Sequence, residues 1–440
     1  GQTSPPYIYK IEEAWAKTCD YTEESVGYRY SLEHYLNNIW KRGVVHVVQD
    51  MQFADYVLIP HCATGMFMHF VAKYSLELEA RNKEDLSTKK RKGRKRMNAT
   101  EHFLLYEGSL PERAVRTTDD RYLMKLLTDV VIPHPAFEMC VLRENCRFLI
   151  PSIYGRHVFR RFSQFFEGKA IFVTHAGLSP WITQQANSFF VPPLLKMSKT
   201  PIDADNDCQA ACDLHCVFDP PATLENDIVM PWTVAYSWTQ RSAWFLDRDI
   251  LAFYSGTDNS CSREQIRELF GADFNKEIEH LTVVDTPPRE SSSPIDPFIS
   301  KSVLMFPASL RLSQREWSEV AYRSRICICP DGDSPNTGRI IEVILHGCVP
   351  LIISDRLQPP FHELVDWSNF AFFMREADIP RLPEILARFA TPKGMMEVKA
   401  RQRKLGQAAM LFNYDHSLVG MLLMFSLIQK RDKFAPPPNG

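Results

Sequence analysis

The sequence lacks an excess of charge of either sign, a long apolar run and an internal repeat, and no signal peptide is expected at its start. Lys and Arg number 51 against 53 Asp and Glu, and the net charge of −2 gives no general attraction to nucleic acid or to an anionic membrane. The longest apolar candidate, 418–428, falls far short of the ~18 residues that a membrane-spanning helix requires. The chain opens GQTSPPYIYK, which is not a signal peptide. No membrane-spanning helix and no repeat architecture are therefore expected in this sequence.

The composition predicts a globular protein with more than one core. Hydrophobic residues make up 45% of the chain, which is enough to fill complete cores. A length of 440 residues exceeds one ordinary domain, so two domains of similar size are expected. Thirty prolines indicate many loops between the secondary-structure elements.

The stretch from Arg325 to Phe361 has the pattern of a βαβ unit. A short apolar run, 325–329, is closed by Pro330 and followed by a segment, 331–338, that is dense in turn residues. An apolar segment of helical length then ends at Gly347, and 349–354 is a second buried strand of the kind found in parallel sheets. In such units a ligand binds where the loop meets the helix N-terminus, a point that attracts phosphate.

Arg339 and Glu342 are three residues apart, which places both on one helical face near that N-terminus. A guanidinium there can bind diphosphate oxygens bidentately, and a carboxylate one turn deeper can accept from the two hydroxyls of a ribose. This chemistry suits a nucleotide-sugar site. The alternative is an ordinary surface ion pair on a helix that binds no ligand.

The run CICPDGDSPNTGRIIEVILHGCVPLIISDRLQPPF, followed by LVDWSNFAFF and DIPRLPEIL, resembles the signature of exostosin-like glycosyltransferases. The resemblance implies a GT-B fold, with two Rossmann-like domains facing a cleft and a C-terminal helix packing back on the first domain. It implies inverting transfer from a nucleotide sugar, usually without a metal. Matching motif positions predict that the donor is bound by Asp333, Ser334, Arg339, Glu342 and, within QIREL, Arg267.

The resemblance also divides the chain. Residues 1–232 are expected to form an acceptor-side Rossmann-like domain, and 233–412 the nucleotide-sugar-binding domain. Residues 413–440 are expected to form a C-terminal helix and a disordered tail. Helices are predicted over 314–323 and 395–411 in the second domain and over 419–429 in the C-terminal segment.

His175 is the candidate catalytic base, because it ends a predicted strand, 170–175, in the first domain. The family often shows a GRDHF…HDWG arrangement here, whereas this chain keeps an Arg and a His but lacks both aspartates. An acid–base role that those aspartates have in the family therefore cannot be assigned to residues of this sequence. The alternative for His175, as for His61 after the strand ADYVLIP, is a buried histidine that is only hydrogen-bonded.

The eleven cysteines leave the compartment open. Cys140 and Cys146 are spaced for a small disulfide loop, and the cysteines at 327, 329 and 348 are expected to be small buried residues or to form one bridge. Cys208, Cys212 and Cys216 repeat every four residues beside a histidine. They favour disulfides over a metal site in a lumenal protein.

The run 89–96 carries seven positive charges in eight positions. It is interpreted as a solvated loop, with an anionic partner such as an acidic polysaccharide or a membrane surface as the alternative. Use of the run to bind nucleic acid is the weakest interpretation.

The sequence therefore predicts an inverting glycosyltransferase that moves a sugar from a UDP-sugar to a glycan or glycoprotein hydroxyl, with no cofactor and no metal. The alternative is a catalytically silent protein that binds glycans or scaffolds a partner. The family resemblance implies a Golgi or endoplasmic reticulum lumen location, an anchor absent from this chain, and homo- or hetero-oligomers. No nucleic-acid partner is expected.

Overall fold

The computed structural model of the protein describes part of the chain, and the account below concerns that part. The described residues are 5–11, 32, 35–36, 46–60, 127–151, 166, 168–175, 227–234, 248–256, 260–270, 277–278, 281–284, 302–306, 312–332 and 337–434. The predictions for Asp333, Ser334, His61, the basic run 89–96 and the cysteines at 208, 212 and 216 lie outside the described residues.

The first sheet has six strands in the order β2-β1-β3-β4-β5-β6. β1 is parallel to both β2 and β3, β3 to β4, and β5 to β6. Every residue of β3 and β5 is buried, as expected where both faces of a sheet are covered, whereas β1 has one buried residue, Ile8. The strands are β1 Tyr7–Lys10, β2 His46–Val47, β3 Tyr56–Leu58, β4 Arg147–Pro151, β5 Ala170–Thr174 and β6 Ile228–Val229.

The second sheet has seven strands in the order β13-β12-β11-β7-β10-β9-β8, and all its pairs are parallel except β8 with β9. Its central strands bury Val, Ile, Leu, Phe and Cys side chains on both faces. The strands are β7 Ile250–Ser255, β8 Glu277–Ile278, β9 Leu281–Val284, β10 Ser302–Phe306, β11 Ser324–Pro330, β12 Val349–Ile353 and β13 Phe372–Met374.

Capping residues set the starts of several helices. Ser313 and Glu316 form a reciprocal capping box at the start of α3, and Thr337 and Thr391 cap α4 and α6. The α-helices are α1 Pro135–Leu142, α2 Cys261–Phe270, α3 Gln314–Arg323, α4 Gly338–Leu345, α5 Leu382–Phe389, α6 Pro392–Phe412 and α7 Ser417–Phe434. Short helices of other types lie at Met51–Phe53, Leu127–Val131, Trp367–Asn369 and Glu376–Arg381.

The second sheet has a topological switch point between β7 and β11. The chain leaves β7 toward β8, β9 and β10 on one side of the sheet, and it leaves β11 toward β12 and β13 on the other. Connections that diverge in this way open a crevice at the carboxyl ends of the two strands, where ligands of α/β proteins bind. The helices α2 and α4 begin just beyond these two ends.

Arg248, just before β7, forms hydrogen bonds to the C-terminal ends of α3 and α4. Its guanidinium, which is buried, donates to the carbonyl oxygens of Ala321 at 3.0 Å, Ser324 at 2.8 Å and His346 at 2.8 Å. Burial lowers the pKa of Arg248 to about 10, so the guanidinium remains charged near neutral pH. The start of β7 is thereby fixed to the ends of α3 and α4.

The α/β class with two sheets of parallel strands is confirmed. The chain divides into two compact units, unit 1 (Gly1–Thr3, Tyr154–Arg160 and Phe172–Lys433) and unit 2 (Ser4–Ile153, Arg161–Ile171 and Phe434–Gly440). The predicted boundaries at 232 and 412, the cleft and the packing of the last helix on the first domain stay predictions.

Two disulfides join pairs of described cysteines, and Cys261 is also disulfide-bonded. Cys140 is bonded to Cys146, as predicted, and Cys327 is bonded to Cys348, which realises the single-bridge alternative. Cys329 is a buried free thiol. Among the described helices no single one combines the length and apolar composition needed to cross a membrane; α6 and α7 do so only as a pair, bent by 78°.

Candidate functional site

The N-terminus of α4 lies at the carboxyl end of β11, as the sequence predicts. The Thr337 hydroxyl oxygen accepts from the backbone N–H of Arg339 at 3.3 Å and starts the helix. The apolar side chains of the helix are buried from Ile340 to Leu345. Burial of this face fixes the rotation of α4 and places its first-turn polar residues at the strand end.

Arg339 and Glu342 form the ion pair that the sequence suggests. Nη1 of Arg339 lies 3.2 Å from Oε2 of Glu342, and the side chains are 29% and 4% exposed. The Arg339 guanidinium also lies over the ring of Trp317, 4.4 Å from its centroid. The arginine is thus positioned by both a carboxylate and an aromatic face, and the two predicted donor-binding residues are in direct contact.

Arg263 brings a second guanidinium to the same strand end. From the first turn of α2, its Nε donates to the carbonyl oxygen of Asp331 at 2.7 Å, and the Ser260 hydroxyl donates to the same oxygen at 3.0 Å. A Cβ on Gly332 would lie 2.8 Å from Nη2 of Arg263, so glycine permits this close approach. Sequence reasoning missed Arg263, although it lies one helical turn before Arg267.

Arg267 is placed one turn further along α2. Its Nη2 pairs with Oε1 of Glu264 at 3.4 Å, and the two side chains are 40% and 45% exposed. Arg263, which lies nearer the strand end, makes the contact with the loop after β11. The donor-binding role of Arg267 stays a prediction.

The buried thiol of Cys329 responds to the charges around this end of β11. Burial raises its pKa to about 12, and the nearby cations Arg339 and Arg263 act in the opposite direction. Both guanidiniums therefore act electrostatically on one point of the strand. With the N–H groups at the start of α4, they make this end of the sheet suited to an anion.

The end of β12 carries a carboxylate that balances part of this charge. Oδ1 of Asp355 lies 3.6 Å from Nε of Arg375, and its backbone N–H donates to Glu376 at 3.0 Å. Burial raises the pKa of Asp355, the Arg375 cation lowers it, and the neighbouring Asp331 raises it. Within the described residues, no group of three or more His, Cys, Asp or Glu side chains could hold a metal ion.

His175 contacts Trp232, which lies beside the first residue of α4. Its Nδ1 lies 3.3 Å from the carbonyl oxygen of Met230, and its ring stacks on that of Trp232, with centroids 4.9 Å apart. The Trp232 Cβ lies 3.7 Å from the position that a Cβ on Gly338 would take, at the first residue of α4. His175 and the helix that carries Arg339 thus contact the same tryptophan.

The surroundings of His175 are those of a neutral imidazole. The residue is completely buried, and burial lowers its pKa to about 3. It therefore carries no charge at neutral pH. The assignment of His175 as the catalytic base stays a prediction.

The protein is of the α/β class, and the end of β11 at the switch point of its second sheet combines two arginines, a buried glutamate and a helix N-terminus, which makes it a candidate anion site. The sequence profile of the Exostosin GT47 domain matches residues 222–389, less than half of the chain. This range contains Arg263, Arg267, Arg339 and Glu342 but not His175. The predicted resemblance to exostosin-like glycosyltransferases is confirmed, and it supports the GT-B class.

Curated relatives carry glycosyltransferase names. A "Probable glucuronosyltransferase" of Oryza sativa subsp. japonica is 39% identical over 88 residues, which is 20% of this chain and 20% of the relative. "Probable arabinosyltransferase ARAD1" of Arabidopsis thaliana is 24% identical over 190 residues, covering 43% of this chain and 37% of the relative. "Probable beta-1,4-xylosyltransferase IRX10" of Arabidopsis thaliana is 33% identical over 90 residues, covering 20% and 22%. The matched segments thus span well under half of these proteins.

Proposed function

We propose that the protein is an inverting glycosyltransferase that moves a sugar from a UDP-sugar to a hydroxyl group of a glycan or glycoprotein. The observation that carries the proposal is the convergence of Arg263, Arg339 and Glu342 on the carboxyl end of β11, at the switch point of the sheet. The names of the relatives indicate glucuronic acid, arabinose and xylose as the sugars to test first.

In this proposal the positive groups bind the diphosphate of the donor. Arg339 and Arg263 supply the nearest guanidiniums, Arg267 a third, and the start of α4 supplies backbone N–H groups. Glu342 accepts hydrogen bonds from the ribose hydroxyls of the donor. Its carboxylate also lies 3.2 Å from Arg339, so it has to bind the ribose and the arginine at the same time. We propose that Asp333 and Ser334, which lie between β11 and α4 in the sequence, complete the donor contacts.

Inversion proceeds by one in-line displacement at the anomeric carbon. The acceptor oxygen forms a bond to that carbon as the bond to the diphosphate oxygen breaks, and a base takes the proton of the acceptor hydroxyl. The arginines and the helix N-terminus stabilise the negative charge that develops on the leaving diphosphate. We assign the base to His175, whose imidazole is neutral at neutral pH; because burial lowers its pKa to about 3, this role requires that the bound acceptor reach the ring and raise its basicity.

We further propose that transfer needs no metal, because the cationic side chains take the place of a divalent ion at the diphosphate. The location proposed is the lumen of the Golgi or endoplasmic reticulum. The bonds Cys140–Cys146 and Cys327–Cys348 support it, since disulfides persist in oxidising compartments.

A catalytically silent, glycan-binding protein is the second candidate. The complete burial of His175 and the absence of the two aspartates of the family pattern near it favour this alternative. Binding of UDP without turnover on any acceptor would distinguish it from the transferase.

The test is calorimetry of the full chain with UDP, UDP-glucuronic acid, UDP-arabinose and UDP-xylose, with and without EDTA. We expect saturable binding that the chelator does not change, and a weakening of about tenfold or more in both Arg263→Ala and Arg339→Ala, because each loses a charged hydrogen-bond donor. Arg403→Ala, which removes an exposed arginine from α6, is the matched control. Absence of nucleotide binding in the wild type would overturn the donor site.

A further inference from the structure

A pocket in unit 2 contains chemistry that the donor site does not use. It has a volume of about 530 Å³ and is lined by Tyr9, Gln49, Asp50, Met51, His134 and Pro135. Tyr9 belongs to β1, Asp50 begins the short helix after β2, and His134 caps α1. The pocket therefore lies at the carboxyl ends of parallel strands, and its volume falls within the about 300–1,000 Å³ typical of ligand sites.

Two rings form the apolar part of the pocket. The centroids of Tyr9 and His134 lie 5.8 Å apart, with their planes at 49°. An aromatic face carries partial negative charge and attracts the weakly positive C–H groups of a saturated ring. Met51 adds a polarizable side chain beside these rings.

The polar groups of the pocket offer both donors and acceptors. Nδ1 of His134 accepts from the backbone N–H of Ala136 at 3.1 Å, which leaves the proton of the neutral ring on Nε2 as a donor. Burial lowers the pKa of His134, so this neutral form prevails at neutral pH. Oδ1 of Asp50 accepts from the Gln52 N–H at 2.9 Å, and its carboxylate is exposed. Gln49 supplies an amide, which both donates and accepts.

The negative charge of Asp50 favours neutral ligands over anionic ones. Of the six described residues that line it, Asp50 bears a negative charge and none is cationic. A phosphate or a uronic acid would meet the Asp50 carboxylate without a compensating charge among these six residues, whereas neutral hydroxyl groups can donate to it.

From these contacts we propose that the pocket lined by Tyr9, Asp50 and His134 binds a neutral sugar residue of a glycan. One face of the sugar stacks on the Tyr9 ring, while its hydroxyl groups donate to Asp50 and accept from Nε2 of His134. The pocket does not depend on the donor site, so a transferase and a silent glycan-binding protein would both possess it.

The experiment titrates the 440-residue chain with short xylo-oligosaccharides and cello-oligosaccharides, and with oligogalacturonides of equal length as the acidic comparison. Binding is followed by calorimetry and by saturation-transfer NMR. Asp50→Asn keeps the cap acceptor for Gln52 but removes the charge, and Tyr9→Ala removes the ring. Asp129→Asn, at an exposed aspartate, and Tyr7→Ala, at a tyrosine of the same strand outside the pocket, are the matched controls.

We expect a neutral oligosaccharide to bind, and both pocket variants to weaken it by about tenfold while the controls leave it unchanged. Arg339→Ala should not alter this binding, so failure of the donor site and failure of the pocket are separable. The proposal would be overturned if no neutral oligosaccharide bound or if the acidic oligosaccharides bound more tightly. It would also be overturned if Asp50→Asn and Tyr9→Ala bound the neutral oligosaccharide as tightly as the wild type does. If Tyr9→Ala does not fold, Asp50→Asn alone decides.

Discussion

Replacing Arg339 by alanine tests the ion pair at the start of α4. The substitution leaves the Glu342 carboxylate, which is 4% exposed, without its partner. Breaking a fully buried pair costs about 3–5 kcal/mol, and the figure is lower here because solvent reaches Arg339, which is 29% exposed. Loss of the contact with Trp317 adds about 0.5–1 kcal/mol. We expect the free energy of unfolding to fall by about 2–3 kcal/mol.

Urea unfolding followed by tryptophan fluorescence measures this loss, since Trp317 lies under the Arg339 guanidinium. With a slope of about 2 kcal/mol per molar urea, the midpoint should fall by about 1 M. Adding Glu342→Gln to Arg339→Ala removes the uncompensated charge and should restore about 1–2 kcal/mol of stability.

Arg267→Ala is the control, because its pair with Glu264 is solvent-exposed and should change stability by no more than about 0.5 kcal/mol. Two results would refute the reasoning: a midpoint in Arg339→Ala equal to that of the wild type, or a double variant no more stable than Arg339→Ala. Either would mean that the carboxylate of Glu342 does not depend on its neighbour.

Three further predictions concern other parts of unit 1. Burial lowers the pKa of His175 to about 3 in the folded protein, so as pH falls below about 6.5 the unfolded chain binds a proton that the folded protein does not. The free energy of unfolding should therefore fall by about 1.4 kcal/mol per pH unit between about pH 6.5 and pH 3, relative to His175→Gln. Urea titrations at a series of pH values measure this difference. Replacing Cys327 and Cys348 by alanine opens a loop of 21 residues and should lower stability by about 3 kcal/mol in thermal unfolding. In Gly394→Ala the new Cβ would lie 2.7 Å from the Cα of Phe389, so calorimetric melting should show a loss of about 2 kcal/mol.

Each of these predictions has a contradicting result. Parallel pH profiles for the wild type and His175→Gln would mean that the imidazole is hydrated in the folded protein. If the double cysteine variant melts at the same temperature as the wild type, the Cys327–Cys348 disulfide does not stabilise the protein. Wild-type melting of Gly394→Ala would mean that the start of α6 can move to admit a methyl group.

Local patterns predicted the elements around the candidate donor site well. The predicted helix 314–323 is observed as α3 Gln314–Arg323, where Ser313 and Glu316 cap it. The segments expected over 325–329, 339–346 and 349–354 are observed within two residues as β11, α4 and β12. Continuous apolar runs bounded by proline and glycine mark these elements, because burial and chain reversal are both set locally.

Longer-range relations were not predictable from those patterns. The contact of Arg263 with Asp331 joins residues 68 positions apart, and no local periodicity carries that pairing. The same holds for the stacking of His175 on Trp232. Helix α6 begins at Pro392, three residues before the predicted start, because Thr391 caps it and proline is well tolerated in a first helical turn. That signal was present in the sequence but was overlooked.

The buried guanidinium of Arg248 limits how the protein can be re-engineered. Because it donates to the carbonyls of Ala321, 73 positions away near the end of α3, and His346, 98 positions away at the end of α4, it serves as a C-terminal cap that both helices share. Lysine would present a point charge in place of the planar fork and could not reproduce that geometry. A circular permutation or a chimaera joined between β6 and β7 therefore has to carry Arg248 with the β7 side of the junction. Otherwise the helix that holds Arg339 loses the anchor at its far end.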